Sequence, residues 1–272
     1  LRGIITDMHA GAYSYNTAAQ LDHIFDSINL SIGNPLTITE FYNKVNRIIE
    51  SLRCIHSEAG FPDVFFDSIN NRPVFFPTPV VDINDRLYVN SDIQKIPLGA
   101  EIMSINSISA KKIIDSLRTY YHTDGYSNEA KKAAIDEDFA YNFFLAFGGA
   151  KTYTVAYKKN SNSRVERKTF FGEKLKDIDE NIYDTRFFYF ANDVDYDLEI
   201  NDDYNAATIT IRTFSFNTYN AQQAFNNFLK NSFRLIKQSG IKNLIIDCRN
   251  NSGGNYSATY SLLSYLVDKT LP

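Results

Sequence analysis

IKNLIIDCRNNSGGNYS, residues 241–257, carries Ile241, Leu244, Ile245 and Ile246 straight into Asp247, Arg249, two asparagines and a Gly-Gly pair. Upstream, YDLEI and AATITIRTF read as adjacent β segments. A helical stripe from Tyr219 to Gln238 then carries Ala221, Phe225, Phe228, Leu229 and Ile236, and Gly240 stops it. A strand, a helix of nearly twenty residues and a continuously apolar strand predict a crossover within a sheet covered on both faces. Ligands of such sheets collect at the carboxyl ends of the strands, and the loop from Asp247 to Gly254 follows one such end.

Gly253 and Gly254 permit backbone shapes closed to other residues and can leave neighbouring N–H groups aimed at one atom. A backbone donor pair stabilises a developing oxyanion in that way. A Gly-Gly pair after a strand also fits a plain tight turn. A phosphate loop is disfavoured, because NNSGGNYS lacks the Lys-Ser/Thr ending that reaches phosphate and magnesium. Asp247 fits a nucleophile, a metal ligand, or an ion pair with Arg249 that clamps the loop.

The rest of the chain reads as a mixture of helices and short strands. Thr37 with Glu40 is a capping-box signature, and Phe41, Val45, Ile48, Leu52 and Ile55 form one helical stripe ending at Cys54-Ile55-His56. From Val74, VVDI and RLYVN read as strands, AEIMSI alternates like one, and Ser109 caps a short helix with Ile113, Ile114 and Leu117. Helical spacing returns from Glu129 to Phe147 with Phe139, Phe143 and Ala146 on one face, and Gly148-Gly149 breaks it. TYTVAY and RVERKTF read as a hairpin, and residues 172–192 as a linker or surface crossing.

Totals bound the function. At 272 residues the chain has room for two or three domains of about 100–150 residues each. Its 44% apolar and 22% charged composition, with 21 Phe, 18 Tyr and no Trp, belongs to a folded, aromatic-rich protein. A formal charge of -4 offers no field for a phosphate backbone, so nucleic acid is a poor partner. Neither a membrane-spanning run nor a signal peptide is read. Cys54 and Cys248 form no disulfide framework and read as two buried thiols. His9, His23 and His122 have weaker claims to a catalytic role, His23 and His122 reading as solvated or locally bonded; no metal-ligand spacing is evident, and no catalytic metal or cofactor is expected.

Four segments resemble those of one family. LIIDCRNNSGGN at 244–255 has the form Asp-x-Arg-x-Asn-x-Gly-Gly after an apolar strand. LGAEIMSINSISAKKI, from Leu98, has Gly-x-x-Ile-x-x-Ile-Asn before a helix. ATITIRTFSF fits a core strand ahead of a crossover helix. DMHAGAYSY, residues 7–15, is similar to a His-Pro-Gly-x-Tyr opening, with Ala10 in place of proline. Together they resemble the tail-specific, or C-terminal-processing, serine peptidases, a family that includes tricorn-core-like and retinoid-binding-protein-like relatives, and secreted bacterial members in particular.

The resemblance implies a multidomain α+β chain. Its parts would be an N-terminal helical domain (1–73), a PDZ-like peptide-binding domain (74–175) and part of a crotonase-like α/β peptidase core (176–272). It implies a serine endopeptidase, located in the periplasm, at the cell surface or secreted, that cleaves extended or unfolded polypeptides recognised through a C-terminal tail. Leu98, Gly99, Ala100 and Ile102 are implied to bind the peptide and its carboxylate. Gly253 or Gly254 would supply the oxyanion N–H, with Asp247, Arg249 and Asn251 holding the loop. Ser252, Ser257, Ser261 and Ser264 stand too close to the loop to match the family's serine, so the nucleophile is expected beyond this chain, in a missing C-terminal part of the same protein. Members differ in their base. Some use a histidine after the N-terminal helices, here His56-Ser57, preceded by Cys54-Ile55 where those members have Asp-x; others use a lysine from downstream. Without the resemblance, His56 fits a histidine bonded to the last carbonyls of its helix. Two readings compete with the peptidase: a non-catalytic peptide- or ligand-binding protein that keeps the fold, and a helix-rich adaptor whose Gly-Gly loop is only a turn.

Overall fold

The computed structural model describes residues 1–91, 96–182, 194–249, 251 and 253–267, with 133, 134, 181 and 182 described by backbone alone. The chain is a multidomain α+β protein that divides into two compact units, Leu1–Phe188 and Tyr189–Pro272.

The first unit opens with α1 (Arg2–Met8), α2 (Ala18–Leu30), α3 (Ile38–Ser51) and α4 (Asp63–Asn70). Thr37 and Glu40 close the capping box at the start of α3: the Glu40 N–H donates to Thr37 Oγ1 at 3.2 Å and the Thr37 N–H to Glu40 Oε2 at 2.8 Å. The helix stops earlier than its apolar stripe. Leu52 is the cap and Arg53 takes φ +53°, so Cys54, Ile55 and His56 lie in a turn beyond the helix. Ile55 is consequently exposed, as is Phe41 near the helix start, while Ile48, Ile49 and Leu52 enter a helical core with Ile5, Leu21, Phe25 and Ile28.

A sheet follows, made of β1 (Val80–Asp82), β2 (Leu87–Val89), β3 (Glu101–Ile105), β4 (Ile108–Ser109), β5 (Thr152–Lys158) and β6 (Glu166–Phe171). Its order is β1-β2-β3-β5-β6 with β4 paired to β3, and every pairing is antiparallel. Between β4 and β5 run α5 (Ala110–Leu117), capped by Ser109, and α6 (Asn128–Phe147). Their apolar faces, Ile113, Leu117, Phe139 and Phe143, meet Phe76, Ile102, Ile105, Tyr153 and Val155 in one core. Phe76 sits edge-on to Tyr153 with ring centroids 5.3 Å apart, the kind of contact an aromatic-rich, tryptophan-free chain relies on. The unit closes with α7 (Leu175–Asp177), which runs on into one π turn through Ile182. The remainder of the expected 172–192 linker, from 183, lies outside the described residues.

The second unit is a three-stranded sheet, β7 (Tyr196–Asn201), β8 (Ala206–Ile211) and β9 (Asn243–Asp247), in that order, with α8 (Tyr219–Gln238) between β8 and β9 and α9 (Tyr256–Leu263) after them. β7 and β8 are antiparallel; β8 and β9 are parallel, as a crossover requires. Thr218 caps α8, its Oγ1 accepting from the Ala221 N–H at 3.2 Å. Phe225, Leu229 and Ile236 then pack with Ala207, Ile209 and Ile211, each large side chain contributing about 1.5–3 kcal/mol of burial. Among the described residues β9 lies at the edge of this sheet, its Ile245 is 53% exposed, and of its five residues Asp247 alone is buried. Cys248, next in line, is exposed, and Cys54 is half-buried, so neither thiol is the core residue expected.

Candidate functional site

The loop after β9 is built around one carboxylate. Asp247 is 8% exposed and receives the Arg249 backbone N–H (3.0 Å), Nε (2.9 Å) and Nη2 (2.8 Å). Arg212, just past β8, reaches both carboxylate oxygens at 3.4 and 3.5 Å and donates a shorter bond, 2.6 Å, to the Arg249 carbonyl. Hydrogen bonding from Arg249, opposed by desolvation and helped by Arg212, holds the Asp247 carboxyl far below the usual carboxylate range. A charge so committed is neither an available nucleophile nor an available metal ligand; it clamps the loop.

The clamp has a pH signature. A depressed folded-state pKa stabilises the fold above the unfolded value, near 3.9, and that stabilisation is lost as pH falls from there toward the folded value. Asp247→Asn is expected to destabilise the second unit by about 2–3 kcal/mol at pH 7. In urea melts the gap to the wild type stays constant down to about pH 5 and narrows below about pH 4. A gap unchanged at pH 3 rules out the clamp.

Beyond the clamp the two glycines differ. Asn251 Nδ2 donates to the Ile211 carbonyl at 3.1 Å, and Asn251 Oδ1 accepts the Gly253 N–H at 2.8 Å. Gly254 forms a parallel bridge to Phe214: the Phe214 N–H donates to the Gly253 carbonyl and the Asn255 N–H to the Phe214 carbonyl, each at 2.9 Å. In that pattern the flanked residue, Gly254, turns its own N–H to the other side. Gly254 is exposed, with φ +141°, and among the described residues its N–H donates to no other. An N–H held away from the bridge, one residue before the N-cap of α9, is poised for an anionic oxygen. Sequence alone could not separate the two glycines, because Asn251 and Phe214 decide between them.

Serines near the loop are engaged in hydrogen bonds. Ser257 Oγ donates to Gln222 Oε1, Ser261 Oγ to the Ser257 carbonyl and Ser264 Oγ to the Ser261 carbonyl. Ser252 lies outside the described residues. All four histidines of the chain precede residue 123, so the second unit holds no imidazole of its own.

In the first unit, His56 is exposed in the turn after α3, and among the described residues no hydrogen bond joins its ring to the end of that helix. The turn is tied down on both sides. Gly125 N–H donates to the Arg53 carbonyl and Ile55 N–H to Asp124 Oδ1, each at 3.0 Å. On the other side, Ser57 Oγ lies 2.8 Å from His9 Nε2. His9 Nδ1 accepts the Gly11 N–H at 3.1 Å, which puts the ring proton on Nε2, so His9 donates to Ser57 and cannot serve as its base. His122 is bonded at long range rather than locally, its Nε2 lying 2.9 Å from Asn46 Oδ1 across 76 residues. Burial pushes its imidazole below the ordinary range. His9, Asp124 and His122 thus frame the His56 turn, and their sequence separations hid this from a linear reading.

Around Leu98, the expected carboxylate nest is partly spent on its own turn. With Gly99 at φ +74°, the Gly99 N–H donates to the Val89 carbonyl at 2.9 Å and the Ala100 N–H to the Pro97 carbonyl at 3.1 Å. Ala100 and Ile102 are buried, and the Leu98 side chain is exposed. Among the described residues no helix is long and apolar enough to cross a membrane.

Comparison with known proteins bears on the second unit most directly. Residues 205–271 match peptidase family S41, so the C-terminal region matches that family at family level. No curated protein matches the chain in sequence. Among solved structures, mature CPAF is similar with a TM-score of 0.51 at 13% identity, over 89% of this chain and 52% of that one. A serine-to-alanine mutant of CPAF is similar with a TM-score of 0.51 at 14% identity, over 89% of this chain and 53% of that one. The chain therefore spans about half the length of these two proteins, and at such identities the likeness is one of fold.

Proposed function

We propose that this chain is part of a serine endopeptidase that cleaves extended or unfolded polypeptides by acyl transfer. The carrying observation is the loop at 247–255, where an ion-paired Asp247 and a bridge to Phe214 hold the Gly254 N–H turned outward. The match of residues 205–271 to peptidase family S41 supports the same reading.

In this reading the Gly254 N–H holds the oxyanion, a contribution of roughly 3 kcal/mol to the transition state. A base, His56 or a lysine outside these 272 residues, takes the proton of a serine that also lies outside them, and water then hydrolyses the acyl-enzyme. Gly253 serves the loop through Asn251. The segment Leu98 to Ile102 is proposed to contact the substrate chain, through the exposed Leu98 and its backbone more than through a preformed carboxylate nest. A PDZ-like identity for the β1–β6 sheet with α5, a crotonase-like identity for the second unit, domain limits near 73 and 175, and a periplasmic, cell-surface or secreted location complete the proposal by family resemblance.

The test is covalent labelling of the full-length protein with a fluorophosphonate, followed by peptide mapping. One labelled serine outside residues 252–264 is expected. A folded full-length protein that takes no label overturns the peptidase reading in favour of a non-catalytic binding protein of the same fold.

A further inference from the structure

We propose that Cys54, His56 and Asp124 form a zinc site which, when loaded, takes His56 out of service as a base. The second half of this statement rests on the peptidase reading; the first does not. One ligand atom from each residue, the Cys54 Sγ, an imidazole nitrogen of His56 and a carboxylate oxygen of Asp124, lies within 4.8 Å of the other two. Asp124 stands 70 residues after Cys54 and only the fold brings it alongside, so the sequence shows no metal-ligand spacing.

The donor set selects the ion. Thiolate, imidazole and carboxylate suit zinc, with a fourth position left to water, whereas calcium and magnesium take oxygen ligands. Bond lengths of about 2.0–2.3 Å place tetrahedral ligands roughly 3.4–3.7 Å apart, so the three atoms need close by no more than about one ångström. The side chains of His56 and Asp124 are exposed, which gives them room for that adjustment, while Cys54 is half-buried against the helical core. The backbone frame already stands: Gly125 is bonded to Arg53 and Ile55 to Asp124 Oδ1, which leaves Asp124 Oδ2 for the ion. An imidazole nitrogen given to zinc cannot accept a proton from a serine. Metal binding and general-base chemistry at His56 are therefore mutually exclusive.

Purified full-length protein, stripped with EDTA and titrated with zinc against a chromogenic chelator, is expected to bind one equivalent with a Kd below about 1 µM. Cys54→Ser and Asp124→Asn should each weaken binding at least about tenfold. Cobalt in place of zinc should give a thiolate-to-metal absorption band that Cys54→Ser lacks. Absence of stoichiometric binding, or binding unchanged in Cys54→Ser, overturns the site. For regulation, saturating zinc is expected to slow fluorophosphonate labelling about tenfold or more in the wild type and to leave Cys54→Ser unaffected. Wild-type protein that labels at the same rate with zinc bound overturns the inhibitory role. A protein that never takes the label removes the peptidase reading, while the chelator titration still decides the metal site.

Discussion

Gly254→Ala is expected to break the loop after β9, while Gly253→Ala is expected to spare it. A Cβ on Gly254 would sit 2.2 Å from the Phe214 carbonyl carbon and 2.3 Å from the Ser215 nitrogen. Both are backbone atoms, so no side-chain rotation relieves the clash. Opening the bridge sacrifices the two hydrogen bonds to Phe214 and releases α9 from its anchor at Asn255. At φ +141° the backbone is also one that an L side chain rarely adopts. The sum is about 3 kcal/mol or more of lost stability, with loss of any oxyanion donation from this position. Gly253, at φ +99°, has open space where a Cβ would go, so the cost there is backbone strain of about 1–2 kcal/mol. Urea melts of the two variants read the difference directly. Equal destabilisation would mean that the Phe214–Gly254 approach is absent in solution.

His56→Ala is the complementary case, large in activity and small in stability. The side chain is exposed, so its truncation should change the unfolding free energy by no more than about 0.5 kcal/mol. As the proposed general base it should carry a factor of about 10²–10⁴ in kcat, with KM close to that of the wild type. Hydrolysis of an unfolded reporter protein by the full-length enzyme, wild type against variant, gives the ratio. A variant keeping more than a tenth of wild-type kcat would move the base to another group, with a lysine from outside these residues as the alternative. Metal must be removed before the comparison, since a cation on Cys54 and Asp124 would depress the wild type alone.

What lies close in sequence was legible from the chain by itself. The Thr37–Glu40 capping box, the Ser109 cap and the helix from Tyr219 to Gln238 all depend on residues within a turn or two of one another, and each stands as the pattern implies. The crossover from β8 to β9 follows from the same local periodicity, and the Asp247–Arg249 pair from a spacing of two residues. Hydrophobic pattern overreached where the stripe outlasted its helix. Ile55 keeps helical spacing, yet Arg53 turns at φ +53° and leaves it in solvent. Likewise an apolar run marks β9 as a strand, but its Leu244 and Ile246 pack into the core while Ile245, on the opposite face, is exposed.

Tertiary structure alone decided the chemistry of the two loops. Which glycine keeps its N–H turned outward depends on Phe214, forty residues away. Whether His56 stands beside a thiol and a carboxylate depends on Asp124, delivered by the segment after α5. Local propensity sets where helices and strands begin and end, because its energies act within a few residues. Donor directions and ligand clusters are set by backbone approaches between distant segments, which a linear pattern does not encode.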